Sequence, residues 1–267
     1  MGDAYHHDRP ALSRVEREIS IETLVHASKL SVGKDEDLHH YLKRITHLTL
    51  NGNDKKAVKR MQNLYHCPNL KVLYMYDNEI EAIEGLDRVC QMTHLHLQNN
   101  LIAKMEQLDS LTLLEKLYLE GNRIERLEGL GNCVALQELH LSNQHLSPAS
   151  TFSFEPSSIQ ALSRSLRVLN LASCRVTSLQ ALGFLRGLQI LDLSKNLITG
   201  LEDVFSLVGS LSSLVELDLS QNPVTTQPKY REKVITFSSP KLALLDKKDI
   251  DANQRRMMQS HLAHKFR

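Results

Sequence analysis

The sequence predicts an α/β solenoid in which short parallel strands build one concave sheet. In the segment LEKLYLEGNRIERL, Leu117 and Leu119 alternate as they would in a strand, and Asn122 follows where the chain must turn. The same pattern returns every 22 residues, at Leu70, Met92, Leu114 and Leu136. The chain has no Trp and only 5% aromatic residues, so its core must be aliphatic. One such unit cannot bury its own apolar face, and neighbouring units must therefore stack.

The repeated unit has the form L-x-x-L-x-L-x-x-N-x-I-x-x-L, which is the pattern of a leucine-rich repeat. About eight repeats occupy residues 45–239, and they begin at Ile45, Leu70, Met92, Leu114, Leu136, Leu166, Leu188 and Leu214. Repeats this short are expected to return along the convex side through 3₁₀ turns or short helices. The prediction is a leucine-rich repeat horseshoe with a parallel concave sheet.

The N-terminal region is predicted to contain a tail and a cap. Residues 1–18 are polar and charged, and we expect a flexible tail there. Residues 19–44 are expected to form a helical N-terminal cap of two short helices, with Asp35 or Asp37 at the start of the second. This cap would cover the open edge of the first strand.

The C-terminal region is predicted to close the other end. Residues 230–237 are expected to form a helix, and residues 240–267 a C-terminal leucine-rich repeat cap. Within that cap, apolar residues follow near-helical spacing at Ile250, Met257, Met258, Leu262 and Phe266.

Two repeats depart from the period. Lys55 stands where the first repeat should have an apolar residue, so we expect an irregular turn there. The fifth repeat is 30 residues long instead of 22, which places an insertion at residues 147–165. Phe152 and Phe154 in this insertion either cover the neighbouring repeat or carry part of the function.

The net charge and the composition of the chain indicate which classes of partner and which compartment to expect. A formal net charge of +1 gives no general attraction to nucleic acid or to anionic membranes, and only the C-terminal end, from Lys247 to Arg267, is locally basic. The opening MGDAYHHDRP lacks the apolar run of a signal peptide. No stretch has the roughly 18 apolar residues of a membrane span. We expect a monomer in the cytosol or nucleus with no nucleic-acid or membrane partner.

The four cysteines are expected to be structural thiols in a reducing compartment. Cys67, Cys90 and Cys133 each lie two or three residues before a repeat's first apolar position, where they would pack as small apolar groups. Cys174 occupies the turn position of the repeat that begins at Leu166, which is the position of Asn122 in the repeat that begins at Leu114.

The concave face is the predicted binding surface. Strand residues that point away from the core form columns, because equivalent positions of neighbouring strands lie about 4.8 Å apart. Tyr and His dominate these columns in repeats two to five, and acidic residues dominate later ones. Tyr is enriched in protein interfaces. The predicted partner-binding residues are Tyr74, Tyr76, His94, His96, Tyr118, Glu120, Glu138, His140, Asp192, Glu216 and Asp218. The alternative is that these are ordinary solvated strand residues.

No motif predicts catalysis, a cofactor or a metal. The sequence lacks G-x-S-x-G, the P-loop and H-E-x-x-H. His94 and His96 point the same way, but side chains so placed along a strand lie roughly 6.5–7 Å apart. We expect no cysteine to lie near them to complete a zinc site. We therefore expect neither catalytic residues nor metal ligands.

The repeats resemble the 22-residue leucine-rich class of the nuclear regulatory subunits of protein phosphatase 1. The resemblance is carried by LYMYDNEIEAIEGL, MTHLHLQNN, LEKLYLEGN and ELHLSNQHL, by Phe154-Glu155-Pro156 in the insertion, and by NPV and PKYR within residues 222–231. It covers about residues 19–250. It implies a non-enzymatic regulatory subunit that holds the phosphatase catalytic subunit on its concave face. By position, the contacts would be Tyr74, Tyr76, His96, Tyr118, Glu138, His140, Asp192 and Asp218.

The resemblance also implies tubulin or microtubules as partners, and a place in the cytoplasm and cytoskeleton, at the centrosome or the ciliary and basal-body region. A microtubule or axoneme scaffold without a phosphatase role is therefore an alternative. A similar repeat-plus-cap arrangement in the A-prime protein of the U2 small ribonucleoprotein gives a third reading, a ribonucleoprotein scaffold, against which the insertion argues.

One short segment fits a docking pattern for the phosphatase. Lys233 to Phe237 reads basic-x-Val/Ile-x-Phe, but such docking needs an extended segment. We predict that these residues form a helix in which Val234 or Ile235 is buried. A buried aliphatic side chain contributes roughly 1.5–3 kcal/mol to stability, so exposing this segment for docking would be costly. A structural role in the cap is the favoured interpretation.

Overall fold

The structure, a computed structural model, describes residues 14–53 and 55–265. Residues 1–13 of the predicted tail and Phe266 of the predicted cap lie outside the described residues, as does the side chain of Leu262. One ten-stranded sheet runs through the described chain in sequence order. Its strands are β1 His47–Thr49, β2 Val72–Tyr74, β3 His94–His96, β4 Lys116–Tyr118, β5 Glu138–His140, β6 Val168–Asn170, β7 Ile190–Asp192, β8 Glu216–Asp218, β9 Leu244–Leu245 and β10 Lys248–Asp249.

The sheet is parallel from β1 to β9, and β10 pairs antiparallel with β9. The central leucine of each strand pairs in register with its neighbour, so one buried column runs along the solenoid: Leu48, Leu73, Leu95, Leu117, Leu139, Leu169, Leu191, Leu217 and Leu245. Burial of each leucine contributes roughly 1.5–3 kcal/mol. The predicted leucine-rich repeat horseshoe with a parallel concave sheet is confirmed.

A second column, which we call the turn spine, runs where each strand ends. It consists of Asn78, Asn100, Asn122, Gln144, Cys174, Asn196 and Asn222, all buried. Asn122 shows its chemistry: Nδ2 donates to the carbonyls of Leu119 and Leu97, each at 2.9 Å, and Oδ1 accepts from the N–H of Ile102 at 3.1 Å. The amide therefore satisfies backbone groups of two repeats at once, which buried turns require.

The residue before each spine position adopts a left-handed conformation. Their φ values lie between 53° and 68°, at Asp77, Asn99, Gly121, Asn143, Ser173, Lys195 and Gln221. Asn, Asp and Gly tolerate this region best. At Gly121, an added Cβ would also collide with the side chain of Asn99. The chain turns at the same point in each of these repeats.

The convex side is built from short segments, as predicted. It includes 3₁₀ turns at Leu64–His66, Gln180–Phe184 and Pro223–Thr226. Two helices lie on the later repeats, α3 at Pro156–Leu162 and α4 at Leu201–Ser210.

In the described part of the chain, two helices precede the sheet, α1 at Ile21–Ser28 and α2 at Leu38–Arg44. Asp37 is the residue that caps α2, since its Oδ1 accepts from the N–H of His40 at 3.0 Å. Asp35, the other candidate, has a left-handed φ of 63° and lies outside the helix.

The first repeat is irregular, as Lys55 predicted. Residues added near this point form a two-residue strand, Lys56–Ala57, which pairs in parallel with Val15–Glu16. This pairing corrects the expected flexible tail at residues 15–16. Val58 then fills the apolar position, and its N–H donates to Oδ1 of Asn78 at 2.8 Å. The added residues thus leave the turn spine intact.

The insertion at residues 147–165 covers its neighbours. Ser153–Phe154 pairs in parallel with Arg126–Leu127, and α3 follows. Phe152 is only 4% exposed and belongs to the core, and its ring centroid lies 5.5 Å from that of Phe154. The covering interpretation therefore holds for Phe152.

The C-terminal end contains α5, Tyr230–Phe237, and α6, Ala252–Lys265. Val234 and Ile235 are buried in α5, so the phosphatase-docking pattern lies in a helix and not in an extended segment. Arg255 is buried and donates to carbonyls including those of Ile235 at 3.2 Å and Leu242 at 2.6 Å. It therefore ties α6 to the cap and does not add to an exposed basic end.

Two further expectations need correction. Met257 is 72% exposed, so it does not pack in the cap, whereas Ile250 and Met258 contact the core.

Cys90 is exposed, while Cys67, Cys133 and Cys174 are buried. Cys67 and Cys133 lie three residues before the next repeat, but Cys90 lies two before it, and Val89 takes the buried position instead.

A ring stack on the concave face as candidate functional site

Four aromatic and imidazole rings stack along the middle of the concave face. We call Tyr74, His96, Tyr118 and His140 the ring stack. Their centroids are separated by 4.5, 4.3 and 4.7 Å, with interplanar angles of 27°, 8° and 13°. The cause is the register, because these residues pair directly across β2, β3, β4 and β5. A strand spacing of about 4.8 Å matches the separation that stacked rings prefer.

Stacking decides what the ring stack can offer to another molecule. Both faces of His96 and of Tyr118 are covered by neighbouring rings. A partner would therefore meet ring edges, the phenol oxygens and the imidazole nitrogens. Each ring is half-buried, and its neighbours restrict its rotation. The surface is thus ordered before a partner arrives, which reduces the entropy cost of binding.

A polar network flanks the stack. Nζ of Lys116 lies 2.9 Å from Oε1 of Glu138, and the hydroxyl of Tyr118 donates to Oε2 of Glu138 at 3.3 Å. Burial raises the pKa of Glu138, but the hydrogen bond and charge of Lys116 outweigh it, so the net pKa is lowered. Glu138 is therefore an engaged carboxylate at neutral pH.

Glu120 is a second carboxylate beside the ring stack, and it makes fewer polar contacts than Glu138. Its side chain is 25% exposed, and Oε1 lies 3.9 Å from Nδ1 of His140, too far for a hydrogen bond. Its Oε2 is buried and has no hydrogen-bond partner among the described residues. Burial raises the pKa of Glu120 to about 7.

The imidazoles of the stack are held neutral. Burial lowers the pKa of His96 to about 4, with further contributions from His94, His140 and Lys116. Burial also lowers the pKa of His140, although Glu138 opposes this. Neutral rings stack without charge repulsion, and each presents one donor and one acceptor nitrogen.

The later concave residues are arranged differently. Asn170, Asp192 and Asp218 occupy the same column as the ring stack. Each uses its Oδ1 to accept from the backbone N–H two residues further on, at 3.0, 2.9 and 2.8 Å respectively. These side chains bend back towards their own strand and do not stack on one another as the four rings do. Asp218 is also buried, and Nζ of Lys247 lies 3.3 Å from its Oδ2.

The remaining predicted residues lie beside these two groups. Tyr76 is partly exposed next to the stack, and Nδ1 of His94 lies 2.9 Å from the hydroxyl of Thr93. Glu216 is exposed in β8. The structure brings the predicted residues of repeats two to five together and leaves the acidic residues of the last two repeats apart from them. Whether any of them contacts a partner stays a prediction.

Lys116 and Gln98 also belong to this surface, although they were not among the predicted residues. Lys116 is the cation that engages Glu138, and the side-chain amide of Gln98 lies 3.4 Å from Nδ1 of His96. Lys116 occupies the same strand column as His94, and Gln98 occupies the same column as Glu120. These column positions were the sequence signal that could have identified them.

The described residues contain no group of three or more His, Cys, Asp or Glu side chains suited to hold a metal ion. Over the same part of the chain, no helix combines the length and the apolar character that crossing a bilayer demands.

Comparison with known families identifies the repeats. Residues 164–224 match a leucine-rich repeat family model, and residues 90–132 and 112–153 match a model of two leucine-rich repeat copies. Neither model describes a catalytic family, and leucine-rich repeats are typical of binding scaffolds.

Solved structures share the fold. An internalin (InlF) from Listeria monocytogenes is 21% identical over 88% of this chain, with a TM-score of 0.65, and internalin C2 from the same organism is 22% identical over 80%, with a TM-score of 0.60. The functional domain of Listeria InlJ, which includes a cysteine ladder, is 17% identical over 81%, with a TM-score of 0.52. This chain spans 64% of the InlF chain, 84% of the internalin C2 chain and 58% of the InlJ chain. At these identities the likeness concerns the fold alone. In repeat sequence and in architecture, the chain has the leucine-rich repeat fold.

Proposed function

We propose that the chain is a non-enzymatic protein-binding scaffold that acts as a regulatory subunit of protein phosphatase 1 and holds the catalytic subunit on its concave face. The observation that carries the choice of face is the ring stack, a half-buried row of aromatic edges on an ordered sheet. Aromatic side chains held in place in this way are the residues that dominate binding energy in protein interfaces.

The choice of partner rests on the sequence resemblance. The segments around the ring stack, the Phe154-Glu155-Pro156 insertion and the PKYR segment resemble protein phosphatase 1 regulatory subunit 42, also called testis leucine-rich repeat protein. That resemblance supports a place at centrosomal or microtubule structures, with tubulin as a second partner. Because α5 is helical, the proposed contact uses the concave face and not the segment Lys233–Phe237.

A pull-down from cytosol tests the proposal, with the wild-type chain beside the double variant Tyr74→Ala/Tyr118→Ala. Both side chains are only half-buried, so the fold should survive, and circular dichroism checks this. We expect the wild type to retain the phosphatase catalytic subunit and the double variant to lose it.

The other outcomes distinguish the alternatives. Recovery of tubulin or axonemal proteins without phosphatase would replace the proposal by a structural microtubule scaffold. Retention of phosphatase by the double variant would show that the concave ring stack is not the binding face.

A further inference from the structure

The insertion at residues 147–165 begins with a serine that is followed directly by a proline. Ser147, Pro148 and Ala149 are all exposed. They form a turn in which the backbone N–H of Ser150 donates to the carbonyl of Ser147 at 3.1 Å. Pro148 stands second in this turn, where its fixed φ suits the backbone of a tight turn. Ser147 is therefore an exposed turn residue outside the concave strands.

The hydroxyl of Ser147 keeps its lone pairs available. Its Oγ lies 3.0 Å from Oγ of Ser150. Ser150 uses its own hydrogen to donate to Oε1 of Glu125 at 2.7 Å. Because a hydroxyl carries a single hydrogen, Ser147 must be the donor to Ser150. The oxygen of Ser147 can therefore act as a nucleophile once an electrophile reaches the turn.

A guanidinium lies beside the same turn. Nε of Arg175 donates to the carbonyl of Ser150 at 2.8 Å, and Nη2 donates to the carbonyl of Pro148. These contacts hold the cation against the residues that follow Ser147. Phosphoryl oxygens on Ser147 would give this cation charge-assisted acceptors, which form stronger hydrogen bonds than neutral carbonyls do.

The chain contains a second serine followed by proline, and the structure engages it much more fully. Ser239 precedes Pro240 shortly after the end of α5. Its Oγ donates to the carbonyl of Ser212 at 3.1 Å, and its own carbonyl accepts from the buried guanidinium of Arg255 at 3.0 Å. Opening this segment would take acceptors away from a buried cation, which is costly. Opening the turn in the insertion breaks hydrogen bonds that water can replace.

We propose that Ser147 is a phosphorylation site for a proline-directed serine/threonine kinase, and that Arg175 binds the phosphate. Kinases of this class require proline directly after the acceptor residue, and proline has no N–H at that position. Oγ of Ser147 attacks the γ-phosphorus of ATP, and the bond from that phosphorus to the ADP oxygen breaks. The hydroxyl proton passes to the catalytic base of the kinase. The new group carries about −1.5 to −2 charges at neutral pH.

The phosphate rearranges the start of the insertion. A phosphorylated Ser147 has no hydroxyl hydrogen for Ser150, and its charge repels the carboxylate of Glu125. The same charge attracts the guanidinium of Arg175. The turn therefore exchanges a chain of hydroxyl hydrogen bonds for an ion pair. This inference does not depend on which partner binds the ring stack, because the site lies outside the concave strands.

The test incubates the purified full chain with ATP, Mg²⁺ and an active cyclin-dependent kinase, and in parallel with an active mitogen-activated protein kinase. Tandem mass spectrometry locates and quantifies the added phosphoryl groups. We expect Ser147 to be modified at least about tenfold faster than Ser239, because its segment opens more readily. Ser147→Ala should lose this modification, whereas Ser239→Ala should be modified as the wild type is. No phosphate at Ser147 with either kinase, or equal rates at the two serines, would overturn the site.

NMR of the ¹⁵N-labelled, phosphorylated chain tests the phosphate partner. The Nε–H signal of Arg175 should shift on phosphorylation and should move again as the phosphate takes up its second proton, near a pH of roughly 6. The exposed Arg88, in the second repeat, supplies the control signal and should do neither. An Arg175 signal that does not respond to the phosphate, or that responds no more than Arg88, would show that Arg175 does not bind it.

Discussion

The two halves of the concave face use one column of the sheet in opposite ways. In repeats two to five, the column holds the ring stack, and each side chain contacts the side chain of the next strand. In repeats six to eight, Asn170, Asp192 and Asp218 turn back to accept from their own backbone. The backbone register is the same in both halves. The side chains therefore decide whether a strand column becomes a shared surface or a set of separate turns.

The turn spine is common to both halves, and breaking it should have the largest effect on stability. Asn122→Ala removes three buried hydrogen bonds and leaves carbonyls of two repeats unsatisfied. We expect a loss of about 3–5 kcal/mol in the free energy of unfolding, measured by urea denaturation. Asn132→Ala, at an exposed position, should change it by less than about 0.5 kcal/mol. Equal stability of the two variants would contradict the role of the turn spine.

Removing one residue from each half tests the contrast directly. Tyr118→Ala breaks two ring contacts and one hydrogen bond to Glu138, so we expect a loss of about 2 kcal/mol. Asp192→Ala removes a single local hydrogen bond and should cost about 0.5–1 kcal/mol. The same urea denaturation measures both, and a larger cost at Asp192 would reverse the comparison.

The preceding residues stabilise the fold, whereas the charged form of Glu120 should destabilise it, so its effect on stability should depend on pH. Its pKa is raised to about 7, so the folded chain holds a proton that the unfolded chain has lost between about pH 4.5 and 7. Glu120 therefore makes the wild type less stable as the pH rises through this window. At pH 8, Glu120→Gln should be more stable by about 1 kcal/mol, discounted for the solvent that reaches the side chain. At pH 4 the two chains should unfold alike, and a difference there would show that the cause is packing and not charge.

His96 should also make the stability depend on pH, in the direction opposite to that of Glu120. Its pKa is lowered to about 4 from an ordinary 6.5, so the unfolded chain takes up a proton that the folded chain refuses in this range. The wild type should lose part of its stability as the pH falls from 6.5 towards 4. His96→Phe keeps a flat ring in the stack and should flatten that slope, while His39→Phe on the exposed side of α2 should not.

The sequence predicted the repeat register and therefore most of this surface. Once Leu117 and Asn122 fixed the phase of one repeat, the 22-residue period alone placed Tyr74 and His140 on one column. Periodicity could not show that the rings stack, because ring orientation depends on neighbouring side chains and not on spacing. Nor could it distinguish Asp192, whose short carboxylate accepts from the backbone N–H of Ser194, from the longer Glu120, which has one buried carboxylate oxygen without a hydrogen-bond partner among the described residues.

The ends of the chain were harder to predict for a different reason. Val15–Glu16 forms a strand only because residues added to the first repeat provide Lys56–Ala57 as its partner, a contact distant in sequence. Arg255 is buried because carbonyls at the end of α5 and at Leu242 converge on it, which a charged residue in a helical pattern does not reveal. Non-local pairing of this kind leaves no periodic signal.

The affinity of purified phosphatase 1 catalytic subunit for matched double variants tests the central claim most directly. Tyr74→Ala/Tyr118→Ala empties two positions of the ring stack, and Asn170→Ala/Asp192→Ala empties two positions of the same column in the later half. Biolayer interferometry should show a loss of about 30-fold or more for the first variant and of about threefold or less for the second. An equal or larger loss for the second variant, or wild-type affinity for the first, would contradict the assignment of the binding surface to the ring stack.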